Sequence, residues 1–135
     1  MEFDDAKVQE SLMEGRIKID VVLPLARDLI GENGTTLAMF QHMVRKIVSK
    51  RIALLPQVDV DINGYKKMRE AVLTEFANEV AEQVRVENKS VELKPMPSFD
   101  RRIIHMALAK NSCVSSQSTG EGDRRYIIVR PSSSL

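Results

Sequence analysis

The chain has 135 residues, 43% of them hydrophobic, enough for one ordinary domain or two very small ones. A formal net charge of +1 excludes a global basic field, so any nucleic-acid function must rest on local patches. The single cysteine, Cys113, excludes an internal disulfide and fits a reducing compartment, and no apolar run approaches the ~18–20 residues of a membrane span. With no signal-peptide core at the N-terminus, the cytoplasm is the default location. The opening MEFDD shows neither capping nor targeting logic and reads as a boundary within a longer protein.

Residues 6–23 alternate in polarity around a turn signal, Glu14-Gly15, and predict a hairpin. In its second strand Ile17, Ile19 and Val21 share one face, with Lys18 and Asp20 on the other. Pro24 bars a continuing strand, and a short helix is expected from Leu25 to Ile30. Gly31 and Gly34 bracket a tight loop. Thr35 or Thr36 then caps a second helix whose Leu37, Phe40, Val44, Ile47 and Val48 repeat at helical spacing, ending at the basic Lys50-Arg51. Pro56 marks a break.

Gln57 to Ile62 (QVDVDI) predicts a strand that fits the first sheet, a second sheet or a dimer partner. Asn63-Gly64 opens a long helix from Tyr65 to Arg85, with Met68, Val72, Phe76, Val80 and Val84 as its core face and Leu73 and Ala77 widening it. Val91 to Met96 predicts a strand. Ser98 is expected to cap a helix reaching Lys110. Cys113 to Gln117 and Arg124 to Val129 form a hairpin across a Gly-Glu-Gly turn, followed by a loose polar tail, 132–135. Cys113 itself reads as a small apolar residue at a strand start.

Two stretches carry chemistry. In LIGENGTTL the loop Gly31-Glu32-Asn33-Gly34 lets backbone approach a ligand, and the following helix start offers N–H groups. In KH domains such a loop clamps the backbone of single-stranded nucleic acid; a tight interhelical turn is the bland alternative. Glu32 opposes a phosphate by something on the order of 1 kcal/mol. Arg27, Arg45 and Lys46 are candidate basic helpers, the last two equally a solvated face.

In SFDRRIIHMALAK, Arg101 and His105 lie one turn apart and leave the same face of a helix. A guanidinium forks onto phosphate oxygens and an imidazole adds a hydrogen bond, whereas Ile103, Ile104, Ala107 and Leu108 supply the buried side. Arg102 lies about 100° around the helix and is placed in a supporting part, with Asp100 as a possible bonding partner. Lys66, Lys67, Arg124 and Arg125 are candidates to extend the track. Tyr65 and Tyr126 are better suited to packing than to base stacking.

ELKPMPSFDRRIIHMALA followed by GEGDRR resembles the Arg-x-x-x-His domain of the bacterial Jag proteins (also called KhpB or EloR, SpoIIIJ-associated). DVDINGYKKMREAVL resembles the opening of that domain, and LIGENGTTLAMFQHMVRKIV resembles the KH domain that precedes it. The three occur in family order across residues 15–131. The resemblance implies cytoplasmic binding of single-stranded RNA, or single-stranded DNA, through Gly31, Glu32, Asn33 and Gly34 and through Arg101 and His105. It further implies a part in cell elongation and division or in sporulation, and pairing with itself or with a small single-KH protein. The family's N-terminal Jag domain is missing from this sequence.

The expected fold is α+β: a KH-like domain at 1–56 and a small β-α-β-α-β-β domain at 57–131. An interaction module dimerising through the first unit is the alternative function, favoured by Met39 and Met43 on one helix face. An enzyme is the weakest option. His42, His105 and Cys113 form no metal-ligand cluster or nucleophile–base motif, and no metal or other cofactor is implied.

Overall fold

The computed structural model describes residues 5–51 and 57–132. The opening residues 1–4, the break expected at Pro56 and the tail beyond Ser132 lie outside the described residues. The chain divides into two compact units, 1–67 and 68–135.

In the first unit, β1 (Lys7–Met13) and β2 (Arg16–Val22) form the expected antiparallel hairpin. Glu14 and Gly15 at its turn both take positive φ, 51° and 75°, the geometry that matches strand twist in a two-residue turn. β3 (Gln57–Ile62) lies parallel to β2, which settles the strand the sequence left open: it completes the first sheet, in the order β1-β2-β3. The division therefore falls after Lys67 rather than at position 56, and the second unit reads α-β-α-β-β. A parallel pair requires a crossover connection, here made by α1 (Arg27–Ile30) and α2 (Thr35–Arg51). The register aligns Ile17, Ile19 and Val21 with Val58, Val60 and Ile62. Leu37, Val44 and Val48 of α2 cover them.

Two expectations in this unit change. α1 starts two residues later than the sequence suggests, because Leu25 sits at φ 56° after Pro24. Phe40 and Ile47 do not join the core; with Met39 and Met43 they form an exposed flank of α2, 44–62% accessible. Buried Leu37 and the partly buried Val44 and Val48 provide the packed stripe, since the sheet beneath is only three short strands wide.

α3 (Tyr65–Glu87) begins at a defined cap. The buried Asp61 carboxylate accepts the backbone N–H of Lys66 at 3.1 Å and of Ile62 at 2.9 Å, satisfying an orphan donor of the first turn. The Asn63 side chain meanwhile exchanges two 2.8 Å hydrogen bonds with the Leu23 backbone.

In the second unit, β4 (Val91–Glu92), β6 (Tyr126–Pro131) and β5 (Val114–Thr119) form an antiparallel sheet in that order. α3 and α4 (Ser98–Ala109) cover one face, burying Ile104, Leu108, Ile127 and Val129 almost completely. The buried stripe of α3 is Leu73, Ala77, Val80, Ala81 and Val84: Val80, Val84, Leu73 and Ala77 pack as expected, Ala81 joins them, and Met68, Val72 and Phe76 are exposed. A four-residue step turns about 40° each time, so five such positions cannot share one face. Ala77 and Ala81, fully buried, let the helix lie close to its neighbours.

β4 is shorter than the expected 91–96 because Pro95 has no N–H to give. Single bonds from Leu93 N and Met96 N to Ile127 O and Arg125 O continue its path along β6. Pro97, not Ser98, occupies the N-cap of α4, and no side chain caps it.

The glycines of the first-unit loop are fixed by packing. Both take φ 74°, and a Cβ on Gly34 would stand 2.7 Å from the Tyr65 ring, one on Gly31 2.9 Å from Thr36 N. Tyr65 thus packs, as its sequence context suggests. Gly34→Ala should cost at least about 1–2 kcal/mol through the left-handed backbone alone, read as a lowered urea midpoint; an unchanged midpoint would contradict the packing.

Candidate functional site

α4 presents the sequence's main candidates, and three separate contacts orient its first turns. Asp100, at the third helical position, favours the positive end of the helix. Its carboxylate is fully buried and meets Arg69 Nη2 of α3 at 2.8 Å, so the acid is spent on α3 and not on Arg102. Arg101 Nε donates to Met96 O at 3.1 Å, and its Nη1 donates to Ser118 Oγ of β5 at 2.9 Å. One turn on, His105 Nδ1 lies 2.7 Å from Ser116 Oγ.

These last two contacts are a register match. Four residues of helix rise about 6 Å, and two residues of strand advance about 6.8 Å. Arg101 and His105 on α4 therefore meet Ser118 and Ser116 on an oppositely directed β5. The outcome is a half-buried guanidinium and imidazole side by side, each tied at one end. Among the described residues Arg101 Nη2 and His105 Nε2 carry no hydrogen bond.

Burial lowers the pKa of His105 below the usual histidine value, and the positive charges of Arg101 and then Arg125 push the same way. The ring is therefore neutral at neutral pH. Since the folded state holds this proton less tightly than the unfolded chain, acidification below the ordinary value lowers stability as pH falls through the folded pKa. Arg125 leads into β6, held by Nη1 donating to Gly120 O at 2.8 Å. Arg101 and Arg125 thus place two positive charges beside a neutral imidazole on a nearly neutral chain.

The other candidates are distributed differently. Arg102 is exposed on the neighbouring flank of α4, and Arg124 is exposed in the 3-10 turn Gly122–Arg124. Arg45 is tied to β3, donating from Nε to Val58 O at 2.7 Å and pairing with Asp59 at 2.8 Å, which gives it a fold role in the first unit. Lys46 is exposed on α2. Lys66 Nζ bonds Gln41 Oε1. Glu32 and Asn33 form the exposed tip between Gly31 and Gly34, with Asn33 at φ 53° and Thr35 Oγ1 donating to Glu32 O.

The sequence pattern does not single out Arg69, Ser116 or Ser118. The serines do carry a signal: they share the inward parity of Val114, where an apolar residue is normal. Arg69 carries none, because its partner is 31 residues away. Arg69→Met, which strands a buried carboxylate, should cost about 3–5 kcal/mol. Chemical denaturation measures this, and a shift below about 1 kcal/mol would contradict the assignment.

The R-3-H domain family matches residues 71–131. The RNA-binding protein KhpB of Clostridium symbiosum is 36% identical over 101 residues, 75% of this chain and 46% of that protein. KhpB of Bacillus subtilis is 32% identical over 127 residues, 93% of this chain and 60% of that protein. KhpB of Lactiplantibacillus plantarum is 35% identical over 101 residues. The chain spans about half the length of the first two relatives. No described helix is long and apolar enough to cross a membrane. On these similarities the chain carries an R-3-H domain over residues 71–131 and is a relative of the KhpB proteins.

Proposed function

We propose that this chain binds single-stranded RNA, with Arg101, His105 and Arg125 holding a backbone phosphate. The observation that carries the reading is the pair of fixed donors on one stripe of α4, each anchored by a β5 serine and each with a polar group unspent. The names of the relatives support RNA as the ligand. Phosphate contacts fix position without reading bases, so tolerance of sequence is expected. Arg102 and Arg124 lie on exposed flanks and extend the track.

The first unit supplies a second contact of KH type. Its exposed Glu32–Asn33 tip and the start of α2 approach the strand backbone, while Glu32 limits the affinity. The cellular role follows the family: post-transcriptional control in the cytoplasm, linked to cell elongation and division or to sporulation. A second reading, an interaction module pairing with itself or with a small KH protein, is favoured by one observation, the exposed Met39, Phe40, Met43 and Ile47 on α2.

Anisotropy of a labelled unstructured RNA against salt tests the site. Arg101→Ala with His105→Ala should weaken binding and flatten the log–log salt slope by up to ~0.7 for each phosphate no longer held. Arg101→Lys checks that any weakening is not misfolding. Equal binding by the folded double variant would overturn the site; no binding by a wild type that dimerises would favour the second reading.

Acidity gives an independent check. A bound phosphate raises the depressed His105 pKa, so binding takes up a proton and affinity should climb as pH falls from about 7.5 toward about 5.5. The gain is up to about tenfold for each pKa unit recovered, and it should vanish in His105→Gln. A pH-independent wild-type affinity would contradict the role of His105.

A further inference from the structure

Ser116 lies on the inward face of β5 opposite Val129, between the strand and α4. Its Oγ is 2.7 Å from His105 Nδ1, and among the described residues it has no other hydrogen-bond partner. A neutral imidazole has one N–H and one lone pair, and the partner of one nitrogen decides which sits on the other. Resting on the RNA-binding reading above, we infer that Ser116 is a positioning residue whose hydroxyl donates to Nδ1, fixing the His105 tautomer with its proton on Nε2 so that the neutral ring donates to a phosphate oxygen.

Proton accounting supports this direction. If Nδ1 kept the proton and donated to Oγ, the half-buried hydroxyl hydrogen would have no acceptor among the described residues. With the hydroxyl donating instead, both groups are satisfied and the Nε2–H is left for a ligand. The opposite tautomer would aim the Nε2 lone pair at an anion and repel it. The charges of Arg101 and Arg125 make this matter, since they disfavour the imidazolium in which both nitrogens would donate. Ser118, two residues on, holds Arg101 in the same way, so β5 orients both donors.

Long-range 1H–15N correlation of the 15N-labelled, RNA-free chain at neutral pH reads the tautomer directly. The wild type should show a protonated Nε2 and a bare Nδ1. Ser116→Ala should give a tautomer mixture and RNA binding weaker by about two- to tenfold, the value of one modest hydrogen bond. Ser116→Thr, which keeps the hydroxyl, should restore both. A wild type with its proton on Nδ1, or an unchanged tautomer in folded Ser116→Ala, would overturn the inference. If Ser116→Ala fails to fold, the wild-type spectrum alone decides. A wild type with the expected tautomer and no RNA affinity would uphold the role of Ser116 and fault the RNA reading.

Discussion

The candidate site depends on one bridging side chain. Arg101 reaches from α4 to the chain preceding it, through Met96 O, and to β5, through Ser118 Oγ. With Arg69–Asp100 holding the other side of the same turn, α4 is fixed to α3, to the Leu93–Pro97 segment and to the sheet within about one helical turn. A free arginine carries about 2 kcal/mol of rotamer entropy. Most of that is given up on folding here, so a ligand meets an ordered guanidinium. The same bridge explains why His105 faces Ser116: once residue 101 is set against 118, helix and strand spacing bring 105 to 116.

Electrostatics follow from this anchoring. The whole chain is nearly neutral, so long-range steering of an anion is weak and recognition falls to local geometry. Arg101 and Arg125 flank the His105 ring, whose pKa is lowered first by burial and then by their two positive charges. On the proposed reading, a phosphate held here would offset those charges and couple binding to proton uptake. Elsewhere the arginines hold structure: Arg45 secures β3, and Arg69 neutralises a buried acid.

Much of this is legible in the sequence where the determinants are local. The Glu14-Gly15 turn sets the first hairpin, and the i, i+4 spacing puts Arg101 and His105 on one stripe. What escapes is long-range or geometric. The sheet that β3 joins depends on a parallel partner some forty residues earlier, which no local pattern encodes. The α3 stripe misleads because apolar residues occupy two flanks of the helix, and only the flank with small Ala77 and Ala81 packs closely. Asp100 suggests a partner beside it in sequence, whereas its partner comes from another helix.

The most direct measurement of the central claim is a side-chain NMR titration with an unstructured RNA oligonucleotide, following arginine Nε–H, histidine ring and backbone amide signals together. The largest shifts should fall on Arg101 Nε, the His105 ring and Arg125, followed by the Ser116 and Ser118 amides, while Arg45 and Arg69, held by Asp59 and Asp100, stay nearly fixed. Saturable binding that leaves Arg101 and His105 unmoved would contradict it.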